Sequence, residues 1–382
     1  MADSEKLVAT RRAVLGAGAL GLLAATTRSV AAAPLLAVPE VDSLSLQVVT
    51  DNATFGPFLE NLDLPGMKVL RAGNGGPPTP RMSPHPLLAE FGLSIVGESR
   101  LAGQVRRVMV DFGYSREVLA NNLALLGIDP GSIDAAVLSH GHLDHYGGFP
   151  GLFGGKAPVR PVPLTVGEEE TFCERIALIG DPPPIMGALD RGALARAGFA
   201  VSVNPRPAII AGQAFTTGVI PLESFERAAI PTQMRPGIGC DRALLAPAKR
   251  DLAQLPDDGE HELATCYAVK GLGLVVIASC SHRGVINSVR RAQAVSGIDK
   301  VHAVIGGFHL VRPRTEDEAR RTVAEFALID PRYIIPMHCT GEVFIAEALR
   351  LMPQKNGAIL CGIAVRVRGG VVPDIVSMVG VA

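Results

Sequence analysis

"VLSHGHLDHYGG", residues 137–148, sets three histidines and an aspartate within six positions, behind an apolar run and ahead of paired glycines. The chain has nine histidines in all, so this one stretch concentrates a type that is scarce elsewhere. Burying unpartnered imidazoles and carboxylates beside a core strand is costly. A metal ion supplies the missing partner, because imidazole nitrogen and carboxylate oxygen are the donors that zinc and its neighbours accept. The preceding "IDAAVLS" (133–139) reads as a buried strand. It delivers His140, His142, Asp144 and His145 at its carboxyl end, where sites of layered α/β proteins commonly lie.

Three later strand ends also carry a histidine: "IASCSH" (His282), "IGGFH" (His309) and "IPMH" (His338). Any one alone reads as a satisfied structural histidine. Three at equivalent positions, in a chain that already has His-x-His-x-Asp-His, read as parts of one site. Two divalent ions sharing a site need roughly six nitrogen and oxygen donors and an open position. His140, His142, Asp144, His145, His282 and His338 supply six.

The elements around these motifs alternate. "SLSLQVVTDN" reads as a strand ending at Asp51, and 106–113 as a strand followed by a helix at about 115–126 with Ser115 as N-cap. In the second half, strands at 263–269 and 272–279 meet across a Lys-Gly turn. A helix at 284–295, a strand at 301–308, a helix at 315–328, a strand at 333–337 and a helix at 342–351 follow. Two such βαβ-like halves facing each other make an α/β fold, a four-layer α/β/β/α sandwich. Residues 34–43 read as a linker. "GNGGPPTPRMSPHP" (73–86) reads as a long loop that could cover a site. Residues 150–260 are Pro- and Gly-rich with short apolar runs, so 34–382 reads as a single domain with loop insertions around 71–90 and 150–260.

At 382 residues, 48% hydrophobic and 19% charged, the chain has the composition of a folded globular protein. A formal charge of −1, no Trp and four Tyr give no surface for nucleic acid. The first 33 residues differ from the rest. "TRRAVLGAGALGLLAATTRSVAAAP" has twin arginines (Arg11, Arg12), a short apolar stretch and small residues before Pro34, the layout of a Tat-type signal peptide. The expectation is recognition by the Tat export machinery, cleavage after Ala31 or Ala33, and a periplasmic or secreted product with no stable membrane insertion. The six cysteines are scattered without a CxxC pair, so no dense disulfide framework is expected.

With these motifs in place, the chain resembles the metallo-β-lactamase fold superfamily, whose hallmark is His-x-His-x-Asp-His. Within it the likeness is to 7,8-dihydropterin-6-methyl-4-(ribofuranosyl)aminobenzene 5′-phosphate synthase-like proteins. It is carried by "LSHGHLDHYGGF", "TTGVIPLESFE", "SCSHRGVINSV", "IGGFHL" and "MHCTG", over residues 44 to about 365. The resemblance implies that His140 and His142 hold one metal, and that Asp144, His145 and His338 hold the second. It implies that Asp111 of "VDFG" braces the first motif; a turn-forming Asp before Gly113 is the other reading. Superfamily members usually carry a bridging aspartate at the strand end that here reads "IASCSH", where this chain has Ser279 and Cys280. His282 is then favoured as the remaining first-metal ligand, with His261 of "DDGEHE" as its competitor. His309 is assigned to substrate or transition-state contact from the rim, with direct ligation as the alternative. Cys280 and Cys339, which flank His282 and His338, read as small apolar packers beneath the site, with zinc-binding thiolates as the other reading.

Mixed His and Asp donors fit two zinc ions, with manganese or iron as further options. The expected activity is metal-assisted hydrolysis of a small ester or phosphodiester, with Asp144 both ligating and orienting the attacking water. A synthase of the dihydropterin type and a non-catalytic metal-containing binding protein are the alternatives.

Overall fold

The computed structural model describes residues 35–53, 61–71, 86–353 and 365–370. Two large sheets carry the architecture. The nine-stranded sheet runs, in spatial order, Phe199–Val203, Val162–Val166, Ala135–Val137, Gln104–Val110, Ser94–Leu101, Ser43–Thr50, Val365–Gly370, Met67–Arg71, Leu62–Leu64. The seven-stranded sheet runs Ala208–Ile210, Ala214–Thr216, Thr265–Val269, Gly273–Ile277, Val301–Gly307, Tyr333–Met337, with Glu40–Val41 paired in parallel to Thr265–Val269.

Side-chain alternation assigns the layers. Leu44, Leu46, Val48, Ile95, Val108, Ala135 and Val137 from one sheet pack against Tyr267, Ile277, Ala303, Ile305 and Ile335 from the other, forming the central core. Their sequence neighbours Val49, Val96, Met109 and Ala136 face the other way, onto Leu119 and Leu123 of helix Arg116–Leu125. On the far side, Val276, Val304 and Ile334 meet the apolar faces of helices Val285–Ser296, Glu316–Ile329 and Glu342–Leu351. The order is helix, sheet, sheet, helix, the expected four-layer sandwich. Each such fully buried aliphatic side chain contributes about 1.5–3 kcal/mol.

The helix starts follow local chemistry. The Ser115 hydroxyl accepts from Val118 N–H, and Thr315 forms a reciprocal capping box with Glu318. Among the described residues no helix is long and apolar enough to cross a membrane.

Two expectations need correction. Residues 34–43 are not all linker, because Glu40 and Val41 pair with Ala268 and Val269. Residues 150–260 are not simply loop. They add strands to both large sheets and build a four-stranded sheet of their own, Ile185–Gly187, Glu174–Ala177, Thr232–Arg235 and Leu255–Pro256. Strands of two to five residues give too few alternations to be read as a period, which is why this region looked structureless. A disulfide joins Cys173 to Cys240 across it, while Cys266, Cys280 and Cys339 are free and buried. The signal-like residues 1–33, most of the loop at 73–86 and Cys361 lie outside the described residues.

Candidate metal centre

The strand ends converge as their spacing suggested. His140 Nε2 lies 3.1 Å from His142 Nδ1, which lies 3.1 Å from His282 Nε2. A second group forms beside it: His145 Nε2 is 3.2 Å from His338 Nε2, and Asp144 Oδ2 is 3.5 Å and 3.2 Å from those two nitrogens. All six side chains are buried apart from the main-chain edge of His338.

The outward-facing atoms fix what the inward-facing ones present. A neutral imidazole has one N–H and one lone pair. His282 Nδ1 faces the Ala229 carbonyl at 3.4 Å, which can only accept, so Nε2 is left as a lone pair. His142 Nε2 faces Thr232 Oγ1 at 3.2 Å and the Asp257 carboxylate at 3.4 Å, so its Nδ1 is bare. Ser139 Oγ donates its one proton to Asp111 Oδ2 at 2.7 Å, and therefore accepts from His140 Nδ1 at 2.9 Å. His145 Nδ1 donates to Asp111 Oδ2 at 2.7 Å. His338 Nδ1 donates to Asn52 Oδ1 at 3.1 Å, while Asn52 Nδ2 donates to the His338 carbonyl at 2.9 Å. Five imidazoles thus aim lone pairs inward, three in one group and two beside a carboxylate in the other. Lone pairs facing each other at about 3 Å in a buried space repel unless a cation lies between them. The residues fit a pair of divalent ions.

Burial holds His140, His142 and His282 below the ordinary imidazole pKa, and crowding by the other imidazoles adds to this for His140 and His282. Neutral imidazole is the ligating form. Burial opposes charge on Asp144, but His145 and His338 hold its carboxyl well below the usual range. At His338 burial is outweighed by Cys339 and Asp144, which raise its pKa well above the ordinary value.

Asp111 is the common brace. Its Oδ1 accepts Ser139 N–H at 2.7 Å, and its Oδ2 takes both Ser139 Oγ–H and His145 Nδ1–H. Its backbone is left-handed, with φ of 58°, as are Ser281 (60°), His309 (42°) and His338 (47°). Such strain in non-glycine residues clusters where geometry is held for use. Gly141 has a different reason: a Cβ there would lie 2.2 Å from Thr171 O and 2.5 Å from Arg175 Nη1.

The remaining candidates separate. His261 is buried but its Nε2 meets Arg175 Nη2 at 2.9 Å, and its ring centroid is 6.4 Å from that of His140. Its lone pair is therefore occupied by a guanidinium N–H. The adjacent Glu262 is what touches the site, its carboxylate accepting His282 N–H and Arg283 N–H, both at 2.8 Å. His309 packs against His282 with ring centroids 4.3 Å apart and the planes tilted by 51°, and its buried Nε2 has no hydrogen-bond partner among the described residues.

Sequence reasoning missed the support behind His142. Asp257 accepts from Arg175 Nε at 2.8 Å and from Thr232 Oγ1 at 3.0 Å. Arg175 is itself wholly buried and holds the carbonyls of Glu170, Thr171 and Cys173. Burial disfavours the Asp257 anion, yet Arg175 and His142 keep its pKa well below the ordinary value. These groups come from the short-stranded region, where no motif announced them. Asn52 stood at the end of a read strand but carried no signal of its own.

Comparison with known proteins agrees with the geometry. The profile of the Metallo-beta-lactamase superfamily matches residues 102–172, which include the His-x-His-x-Asp-His motif. A 7,8-dihydropterin-6-methyl-4-(beta-D-ribofuranosyl)-aminobenzene-5′-phosphate synthase from Methanocaldococcus jannaschii is 29% identical over 275 residues, 71% of this chain and 87% of that protein. A ribonuclease from Thermus thermophilus is 40% identical over 81 residues, 20% of this chain and 19% of that protein. Among solved structures, a metal-dependent hydrolase of the β-lactamase superfamily superposes with a TM-score of 0.57 at 21% identity, covering 82% of this chain and 93% of that one. The chain thus has the metallo-β-lactamase fold, and its segment 102–172, which carries the His-x-His-x-Asp-His motif, matches the superfamily's profile.

Proposed function

We propose that this protein is an exported metallohydrolase that uses two divalent ions, zinc first among them, on a small ester or phosphodiester. The observation that carries the reading is the set of five tautomer-fixed imidazoles and one carboxylate pointing into a shared buried space. Ions bound there would polarise the substrate's oxygen and acidify a water molecule. The chain's own part is positional. Asp144, held ionised by His145 and His338, would ligate a bound ion and could orient a water through its second oxygen. His309, with an unpaired Nε2, is suited to donate to or accept from a substrate oxygen at the edge of the first group. Asp111, Asp257, Asn52 and the Ala229 carbonyl together hold the imidazole protons on the outward nitrogens.

A second reading is favoured by the archaeal relative, whose length is largely matched: a synthase of the dihydropterin–ribofuranosylaminobenzene phosphate type. The 81-residue likeness to a ribonuclease spans too little of either chain to suggest a nucleic-acid substrate.

Elemental analysis of zinc-loaded protein, followed by a panel of chromogenic carboxylic esters, lactones and phosphodiesters, tests the proposal. Two equivalents of metal and turnover of one class that is lost on chelation are expected. Metal uptake with turnover only of the relative's precursors would move the assignment to the synthase. Export has its own test: replacing Arg11 and Arg12 by Lys should leave the precursor in the cytoplasm.

A further inference from the structure

The loop 257–262 supports the first triad from both of its ends. At one end the Asp257 carboxylate faces His142 Nε2 at 3.4 Å. At the other, the Glu262 carboxylate accepts the N–H groups of His282 and Arg283, both at 2.8 Å. Between them stand Asp258 and Glu260, whose carboxylates meet at one ammonium. Lys249 Nζ lies 2.7 Å from Asp258 Oδ2, 2.9 Å from Glu260 Oε2 and 2.6 Å from Glu170 Oε1. An ammonium has three N–H donors, so all three are taken. The Lys249 side chain is only 15% exposed, which a lysine tolerates when it is paired. Its base is fixed in the turn Pro247–Arg250, where Arg242 Nη1 donates to the carbonyls of Arg250 and Leu252. Arg175 holds the side chains of Asp257 and His261, and Arg283 Nη1 holds the Asp258 carbonyl. The carboxylates of Asp258 and Glu260 have Lys249 as their one ionic partner among the described residues.

We propose that Lys249 is a positioning residue of the first triad, pinning the loop 257–262 through Asp258 and Glu260 so that Asp257 and Glu262 stay on His142 and His282. This rests on the metal-centre reading above and extends it outward, to a residue that touches none of the six donors. The reason lies in the charges: one cation meets three anions. Burial pushes the Glu170 carboxyl up to about 7, Lys249 pulls it down, and Asp258 and Glu260 raise it again. Without the ammonium the three carboxylates repel one another. Glu170 is fixed, because its segment Glu169–Phe172 is tied by Arg175 through the carbonyls of Glu170, Thr171 and Cys173. Relief therefore has to come from the loop, which moves away and takes Asp257 and Glu262 with it. The second triad is the internal control, since its supports are Asp111 and Asn52.

Two variants of the full chain test this, Lys249→Met and the double change Asp258→Asn with Glu260→Ala. The double variant leaves Lys249 paired with Glu170, and its two changed residues are partly exposed, so it decides the matter even if Lys249→Met fails to fold. Hydrogen exchange is followed on the metal-free protein, and zinc affinity by chelator competition, with the first-triad equivalent identified by its absence from His282→Ala. Partly exposed ion pairs contribute little singly, so two together are worth about fivefold in an equilibrium constant. Exchange in the peptide containing His282 and Arg283 should quicken by about that factor. The peptide containing His338, whose N–H is held by Asp51, should not change. The first-triad zinc should weaken about fivefold and the second not at all, while Lys249→Arg should keep most of both properties. Unchanged exchange at 282–283 with normal zinc uptake would overturn this inference alone. Faster exchange with the two zinc affinities unchanged, or equally weakened, would leave Lys249 a general stabiliser and overturn its positioning role. No zinc uptake by the wild type would overturn the metal centre itself, and this inference with it.

Discussion

The two triads lie side by side but are held from different parts of the molecule. His145 and His338 are braced by Asp111 and Asn52, both at the ends of strands in the nine-stranded sheet. His142 is braced by Asp257, Thr232 and, behind them, Arg175, all from the region 150–260. One half of the site is therefore a product of the sandwich itself. The other half depends on an added small sheet and a buried ion network. The first triad is also neutral while the second contains a carboxylate, so the first gains most from the carboxylate of Asp257 behind it.

The largest expected effect falls on His282. His282→Ala should remove metal from the first triad and lower kcat by orders of magnitude, because a lost ligand takes the site's Lewis acidity with it. His261→Ala should keep full metal content, since its Nε2 already faces Arg175. It should instead cost about 1–3 kcal/mol of stability, the penalty for leaving a buried guanidinium N–H unpaired. Metal analysis and thermal melts on both variants decide this. If His261→Ala strips the metal while His282→Ala keeps it, the first triad has been drawn wrongly.

Asp111→Asn comes next, and it should not distinguish the triads. Through Ser139 it sets the tautomer of His140, and directly that of His145. An amide can present N–H to one of these donors and so turn a lone pair outward. Affinity for both equivalents should fall, by about 10–100-fold each, measured by chelator competition. Loss confined to one equivalent would show that the Ser139 link carries nothing.

How much of this was legible in the sequence follows from where each residue sits. His140, His142, Asp144, His145, His282, His309 and His338 all stand just beyond apolar strands long enough to read, so their convergence could be anticipated. The sandwich was legible for the same reason, with helix 316–329 and strand 333–337 placed within a residue or two. The strand Ser94–Leu101 went unread although it pairs with Gln104–Val110 across a tight Ala102–Gly103 turn, both residues at positive φ. Arg175, Thr232 and Asp257 were invisible because their strands are short and their partners lie 25 to 86 positions away. A buried charge network has no period, and pairwise contact is the only signature it leaves.

Asp257→Asn probes the half that sequence could not show. The substitution keeps the shape but removes the charge that orients His142 and neutralises Arg175. First-equivalent affinity should fall about tenfold or more while the second is unchanged. Protein stability should fall as well, because Arg175 would be a buried cation without its counter-ion. Equal weakening of both equivalents would mean that the small sheet supports the whole site rather than one triad.

Asn52→Ala is the matching probe of the other half, and the smallest effect. Asn52 makes two bonds to His338, accepting from Nδ1 at 3.1 Å and donating to its carbonyl at 2.9 Å. The His338 backbone has an independent hold, since Asp51 Oδ1 accepts its N–H at 2.9 Å. The loop position should therefore survive, and what is lost is the acceptor that keeps the proton on Nδ1. A neutral hydrogen bond at a site open to solvent is worth about 1 kcal/mol, equal to about fivefold in affinity. The second equivalent should weaken by that factor and the first should not move. Weakening as large as that of Asp257→Asn would show that a neutral amide orients a ligand as strongly as a buried carboxylate does, and the contrast between the two triads would then rest on their own charge rather than on their supports.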